Sequence, residues 1–218
     1  RADAQVLVNT TPVGMYPKNG EQPVDLAVFP ALEGVLDVIY NPRRTALLLQ
    51  AEERGIPCSD GLPMLVAQAV AAAIDEIYDR TGQDSILVTH SQGGLPGWEV
   101  PLYTDHVAAI VAIEPGAAPE VDSDAYSTMV EQNIPVTFYY GDYIGEEFTD
   151  VPAAAMWSMM AASADTFTQA YNAAGGSSTV VHLPDEGITG NDHFMFQDLN
   201  NDVIADHIEA WIQENVTE

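Results

Sequence analysis

Ser85-Ile86-Leu87-Val88-Thr89-His90-Ser91-Gln92-Gly93-Gly94 is an apolar run that ends abruptly in a small, turn-prone cluster with a serine at its tip. It reads as a buried strand, a sharp turn and the start of a helix, the arrangement of a nucleophile elbow. Such a turn lifts a hydroxyl above the end of a sheet, where a base can reach it. Gly93 is expected to let the backbone pass close to the turn without a Cβ clash. The usual spacing is Gly-x-Ser-x-Gly, and Thr89 stands at the first position. Taken alone, the stretch also reads as a strand followed by a Ser/Gly loop.

Downstream, apolar strands alternate with helices. Val107 to Ile113 is a continuous apolar strand ending in Glu114-Pro115-Gly116, and Pro135 to Tyr140 is another ending in Gly141-Asp142. Ala153 to Ala173 has helical character, Thr179 to Leu183 reads as a last strand, and a helix runs from about Asn201 to Asn215. Gly94 to Tyr103 contains Pro96, Gly97 and Pro101, so a helix there is short or kinked. Unbroken apolar strands between helices predict an α/β fold with a mostly parallel sheet flanked by helices.

In such sheets the chemistry sits at the carboxyl ends of the strands. Those ends carry Ser91, Glu114 and Asp142, and His193 lies in the loop after the last strand. A serine hydroxyl needs a base to take its proton. An imidazole takes and returns a proton near neutral pH. A carboxylate fixes the imidazole tautomer and stabilises the imidazolium. The backbone N–H of Gln92, first after the turn, is placed to donate to an oxyanion. His90 reads as a packed or capping side chain. His106, His182 and His207 have no matching partners in the pattern. No metal-ligand spacing is present. Trp98, Trp157, Met156, Met159 and Met160 read as core or pocket wall, with Trp98 and the Met-rich helix as candidates for an acyl pocket.

Residues 75–218 resemble the C-terminal half of an α/β-hydrolase, with Thr89 to Gly94 as elbow and Gly190-Asn191-Asp192-His193-Phe194-Met195 as histidine loop. The resemblance is greatest to a bacterial esterase branch whose acid is a glutamate after the strand that follows the elbow. It implies a serine carboxylic-ester hydrolase with Ser91, His193 and Glu114 as triad, Asp142 as reserve acid, a small-molecule ester as substrate and no cofactor. It also implies that the front of the sheet and a second oxyanion donor belong before residue 75.

Other residues precede it. Gln5 to Thr11 and Gly34 to Tyr40 read as strands, Thr45 to Arg54 as a helix closed by Gly55, and Gly55 to Cys58 as a third short strand. Asp60 is placed to cap a last helix. The order β-β-α-β-α fits part of an open α/β sheet. Asn9-Thr10-Thr11-Pro12-Val13-Gly14-Met15, Asp37-Val38-Ile39-Tyr40-Asn41-Pro42 and Asp60-Gly61-Leu62-Pro63-Met64-Leu65-Val66-Ala67-Gln68-Ala69 together resemble the C-terminal end of shikimate dehydrogenase, a partial Rossmann-like segment. The resemblance implies that Tyr40 and Gln68 contact shikimate and that Val38 and Gly61 lie against the NADP nicotinamide. No Gly-rich pyrophosphate turn precedes Arg1, and the family's catalytic Lys and Asp have no counterpart, so NADP chemistry is not expected. Arg43 and Arg44 read as solvated loop arginines.

Charge marks the same division. The chain of 218 residues has a net charge of −27. Residues 1–74 hold five basic side chains against eight acidic ones; residues 75–218 hold Arg80 alone against twenty-five. The chain thus reads as a fusion, with segments 1–74 and 75–218 joined near Val70 to Ile74. The three early strands and the four later ones are expected either to share one sheet of about seven or to form two half-domains. Charge of this sign argues against nucleic acid and anionic membranes as partners. It suits solubility in high salt or outside a cell and selects neither compartment. No apolar run has the length of a membrane span. The single Cys58 excludes an internal disulfide. Arg1 and the residues after it show no leader pattern, so the start reads as the interior of a longer sequence. Three readings follow: an ester hydrolase or its remnant, a fragment of an NADP-dependent dehydrogenase, and a non-catalytic fusion product. Oligomeric state is not legible.

Overall fold

A computed structural model of the chain describes residues 3–144 and 152–216, with the side chains of 152 and 153 outside that description. The chain divides into two compact units, Arg1–Val66 and Ala67–Glu218.

The first unit holds β1 (Val6–Asn9), β2 (Gly34–Asp37), α1 (Ala46–Glu53) and β3 (Cys58–Asp60). The strands pair in parallel in the order β1-β2-β3. Leu26, Leu32, Val35, Leu47, Leu48 and Ala51 form the core. α1 begins where Thr45 accepts a hydrogen bond from the Leu48 N–H, leaving the Thr45 hydroxyl to donate to Asp37 at 2.6 Å. Asn9 donates to the other oxygen of Asp37 at 3.0 Å. All three side chains are buried, and the network lets a carboxylate sit at the end of β2 without an unpaired oxygen.

The second unit is built on a four-stranded parallel sheet, β4 (Ser85–His90), β5 (Val107–Ile113), β6 (Val136–Tyr140) and β7 (Ser178–His182), in that spatial order. Its helices are α2 (Leu62–Thr81), within which the division between units falls, α3 (Gly94–Gly97), α4 (Asp124–Gln132), α5 (Pro152–Ala173) and α6 (Asn201–Asn215). Alternation along the strands gives each face its own core. Ile110, Ala112, Val136, Phe138 and Tyr140 face one way, toward Ala71 and Ile74 of α2, Met129 of α4 and Phe167 and Tyr171 of α5. Ala109, Val111, Ile113 and Tyr139 face the other way, toward Ile204 and Trp211 of α6. Tyr171 is fully buried, and its hydroxyl lies 2.8 Å from both the Met129 and Ile134 carbonyls.

The seven strands do not share one sheet. They form a three-stranded and a four-stranded sheet among the described residues. The sequence reading also missed α4. Ser123 caps this helix by accepting from the Tyr126 N–H, and Asn133 ends it in the left-handed region at φ 54°. After the elbow, α3 is one turn long and is followed by a 3-10 turn at Val100–Leu102, as the prolines require.

Candidate active site

The site begins with backbone geometry. Ser91 follows β4 with φ 54°, in the left-handed region that a side chain rarely occupies. Glu114 follows β5 with φ 37°. The two turns are tied together: the Gly116 N–H donates to the Ser91 carbonyl at 2.8 Å. The glycine that this packing needs is Gly94. A Cβ there would stand 2.7 Å from the Pro115 Cβ, whereas one on Gly93 would meet nothing within 4 Å. The expectation for Gly93 is corrected accordingly.

The unusual Thr89 has its own accommodation. A Cβ on Gly97 would lie 2.7 Å from the Thr89 Cγ2. The room that a glycine at position 89 would leave is supplied instead from the helix side. Gly97→Ala is expected to cost about 1–3 kcal/mol in urea unfolding through overpacking. Thr89→Ala in the same chain should recover most of it, because it removes the methyl and also a buried hydroxyl without a partner. Equal losses with and without Thr89→Ala would refute the pairing.

Three side chains meet over the strand ends. Ser91 Oγ lies 2.9 Å from His193 Nε2. His193 Nδ1 lies 2.7 Å from Glu114 Oε2. Glu114 Oε1 accepts from the Gly141 N–H at 2.8 Å. A carboxylate can only accept, so the Nδ1 proton belongs on the Glu114 side and Nε2 is left to accept from the serine. Glu114 is 2% exposed. Burial pushes its pKa above the ordinary value, partly offset by the hydrogen bonds from Gly141 and His193.

Asp142 is elsewhere in the arrangement. Its Oδ2 accepts from the Gly190 and Asn191 N–H groups, both at 2.8 Å, and its own N–H donates to the Asn191 carbonyl. It therefore holds the backbone of the loop before His193, and the carboxylate on the imidazole is that of Glu114. Asn191 is fully buried and donates to Asn200 at 2.7 Å. Its part in shaping the loop was missed in the sequence, although it belongs to the quoted histidine-loop motif.

Aromatic rings, Phe194 at 5.1 Å among them, surround the imidazole. Trp157 of α5 lies with its ring centre 4.2 Å from that of His193. His90 lies at 4.5 Å, and its Nε2 is 2.7 Å from the His193 carbonyl oxygen. Gln92 is exposed and occupies the first turn after Ser91, where N–H groups have no acceptor within the helix. Trp98 is not a pocket wall. It is 3% exposed, stacks near Phe138 and Phe167 in the core, and donates to the Ala117 carbonyl at 2.7 Å. Two histidines read as lacking partners have them. His106 pairs with Asp84 at 2.9 Å and stacks on Tyr78, and His207 meets the Tyr139 hydroxyl at 3.0 Å. Among the described residues no three His, Cys, Asp or Glu side chains converge as a metal site.

In the first unit, Tyr40 is exposed and Val38 half-buried after β2, and the Gly61 N–H donates to the Ile39 carbonyl at 3.3 Å. A side chain on Gly61 would collide with the Val38 carbonyl. Gln68 is exposed on α2. Arg43 and Arg44 are engaged by Asp60 and Glu52. The turns from β2 to α1 and from β3 to α2 contain no glycine-rich cradle of backbone N–H groups. The described residues thus do not fit a dinucleotide pyrophosphate.

No family model matches the chain. Shikimate dehydrogenase (NADP(+)) of Thermosynechococcus vestitus is 49% identical over 91 residues, covering 40% of this chain and 32% of that protein. The Clostridium beijerinckii enzyme of the same name is 38% identical over 82 residues, covering 38% of this chain and 30% of its own. The chain spans about a third or less of the length of these curated relatives. A bacterial esterase of known structure matches with a TM-score of 0.59 and 30% identity, over 69% of this chain and 43% of that one. The chain thus combines a segment similar to shikimate dehydrogenases with an α/β fold similar to that of a bacterial esterase.

Proposed function

We propose that the chain is a serine carboxylic-ester hydrolase acting on small-molecule esters. The observation that carries this reading is the unbroken relay from Ser91 Oγ through both imidazole nitrogens of His193 to Glu114, at 2.9 and 2.7 Å. The esterase of known structure supports it at the level of fold.

In this reading Ser91 Oγ attacks the ester carbonyl as its proton passes to His193 Nε2. Glu114 stabilises the imidazolium through Nδ1. The Gln92 N–H donates to the oxyanion. Collapse of the tetrahedral intermediate breaks the bond to the alkoxy oxygen, which leaves with the His193 proton. A water then gives its proton to Nε2, its oxygen attacks the acyl carbon, and Ser91 Oγ leaves with the proton returned. The chemistry needs no cofactor.

The test is covalent. A fluorophosphonate ester should phosphonylate Ser91 with loss of fluoride, and mass spectrometry should place the added mass on the peptide that contains it. The same protein should hydrolyse p-nitrophenyl acetate. Labelling elsewhere, or none, with no hydrolysis, overturns the proposal and favours a non-catalytic fusion product.

The alternative is a dehydrogenase fragment, favoured by the relatives named for NADP(+). In that reading Val38 and Gly61 face a nicotinamide and Tyr40 and Gln68 face shikimate. The lack of a pyrophosphate cradle among the described residues weighs against it.

A further inference from the structure

His90 is one residue before Ser91 in sequence and hydrogen-bonded to His193, which faces Ser91 in space. Its Nε2 lies 2.7 Å from the His193 carbonyl oxygen, 103 positions away in the chain. A carbonyl oxygen only accepts, so His90 must carry its proton on Nε2. The ring cannot swing freely. Phe196 meets it edge-on at 4.9 Å, Phe194 lies at 5.2 Å, and His193 itself lies at 4.5 Å. The loop before His193 is held from Asp142, through Gly190 and Asn191. The imidazole is held by Glu114. The carbonyl of His193 is held in turn by His90.

We propose that His90 is a positioning residue for the base. It ties the backbone of His193 to the strand that carries Ser91, so that nucleophile and base move as one body. The effect on rate rests on the hydrolase reading above; the effect on geometry does not. Misplacing a reacting group by about 1 Å can cost about a hundredfold in rate.

Two variants and two readouts test this. His90→Phe keeps a flat ring and removes the donor. His90→Gln keeps an N–H donor at similar reach and removes the ring. With p-nitrophenyl acetate, His90→Phe should lower kcat about 10–100-fold with KM little changed, and His90→Gln should regain most of the loss. The second readout is the proton NMR signal of the His193 Nδ1–H, shifted far downfield by its bond to Glu114. It should be narrow in the wild type and in His90→Gln, and broadened in His90→Phe. A narrow signal in His90→Phe, or a His90→Gln enzyme as slow as His90→Phe, overturns the proposal. Should the wild type fail to hydrolyse esters while the signal behaves as stated, the hydrolase reading falls and the positioning role stands.

Discussion

Ser91→Gly should give a protein without esterase activity that is more stable than Ser91→Ala by about 1 kcal/mol. Both variants lose the proposed nucleophile, and kcat should fall by on the order of 10^6 in each. Both lose the same hydrogen bond to His193. They differ in what φ 54° costs and in the freedom of the unfolded chain. An alanine Cβ in the left-handed region costs about 1–2 kcal/mol, and glycine largely avoids it. Glycine returns about 0.5–1 kcal/mol of that through the greater freedom of its unfolded chain. The remainder favours glycine, opposite to the usual ranking of the two residues. Urea unfolding with a shared slope measures it. An alanine variant as stable as the glycine one would mean that the turn at Ser91 is not held in this conformation.

The second large effect is expected at Glu114. Glu114→Gln should lower kcat by about 10^4-fold while leaving the protein folded. The amide oxygen can still accept from the Gly141 N–H. The amide nitrogen then points at His193 Nδ1 and donates. Nδ1 must become an acceptor, the ring proton moves to Nε2, and Nε2 no longer takes the serine proton. Stability should move the other way. Burial raises the Glu114 pKa, so the folded state holds that proton more tightly than the unfolded chain. Ionisation therefore costs stability, and the cost grows as pH rises from the ordinary carboxylate value to the raised one. Below that window it vanishes. Glutamine removes it at all pH, so the variant should gain on the wild type as pH rises through the window. A variant that keeps full kcat would contradict the tautomer argument, and one that loses ground as pH rises would contradict a Glu114 pKa raised by burial.

Much of this arrangement is legible in the sequence because it is written at strand ends. The apolar runs of β4, β5 and β6 are each closed by a polar residue, and a parallel sheet brings successive strand ends to one rim. Ser91, Glu114 and the loop with His193 follow from that rule. Choosing between Glu114 and Asp142 does not. Both follow apolar strands, and only the coordinates show one bonded to the imidazole and the other to the loop backbone. α4 was not read although its signal is present: Ala125, Tyr126, Met129 and Val130 fall at helical spacing behind the capping Ser123. The roles of Gly94 and Gly97 were hidden because they depend on Pro115 and Thr89 crossing beside them, contacts that local spacing does not encode. Trp98 was left between core and pocket wall for a related reason. An aromatic residue near an elbow can face pocket or core, and Ala117 and Phe138 hold this one in the core.

The bonds from Asp142 to Gly190 and Asn191 give the second strand-end carboxylate a mechanical duty. Two neighbouring strands have divided labour: one acid tunes a ring, the other suspends the segment that carries it. Relocating the tuning acid from β5 to β6, a swap that looks trivial on paper, would cut that suspension in the same stroke. Any such redesign would have to graft a new tether for Gly190 and Asn191 before the transplanted acid could be of use.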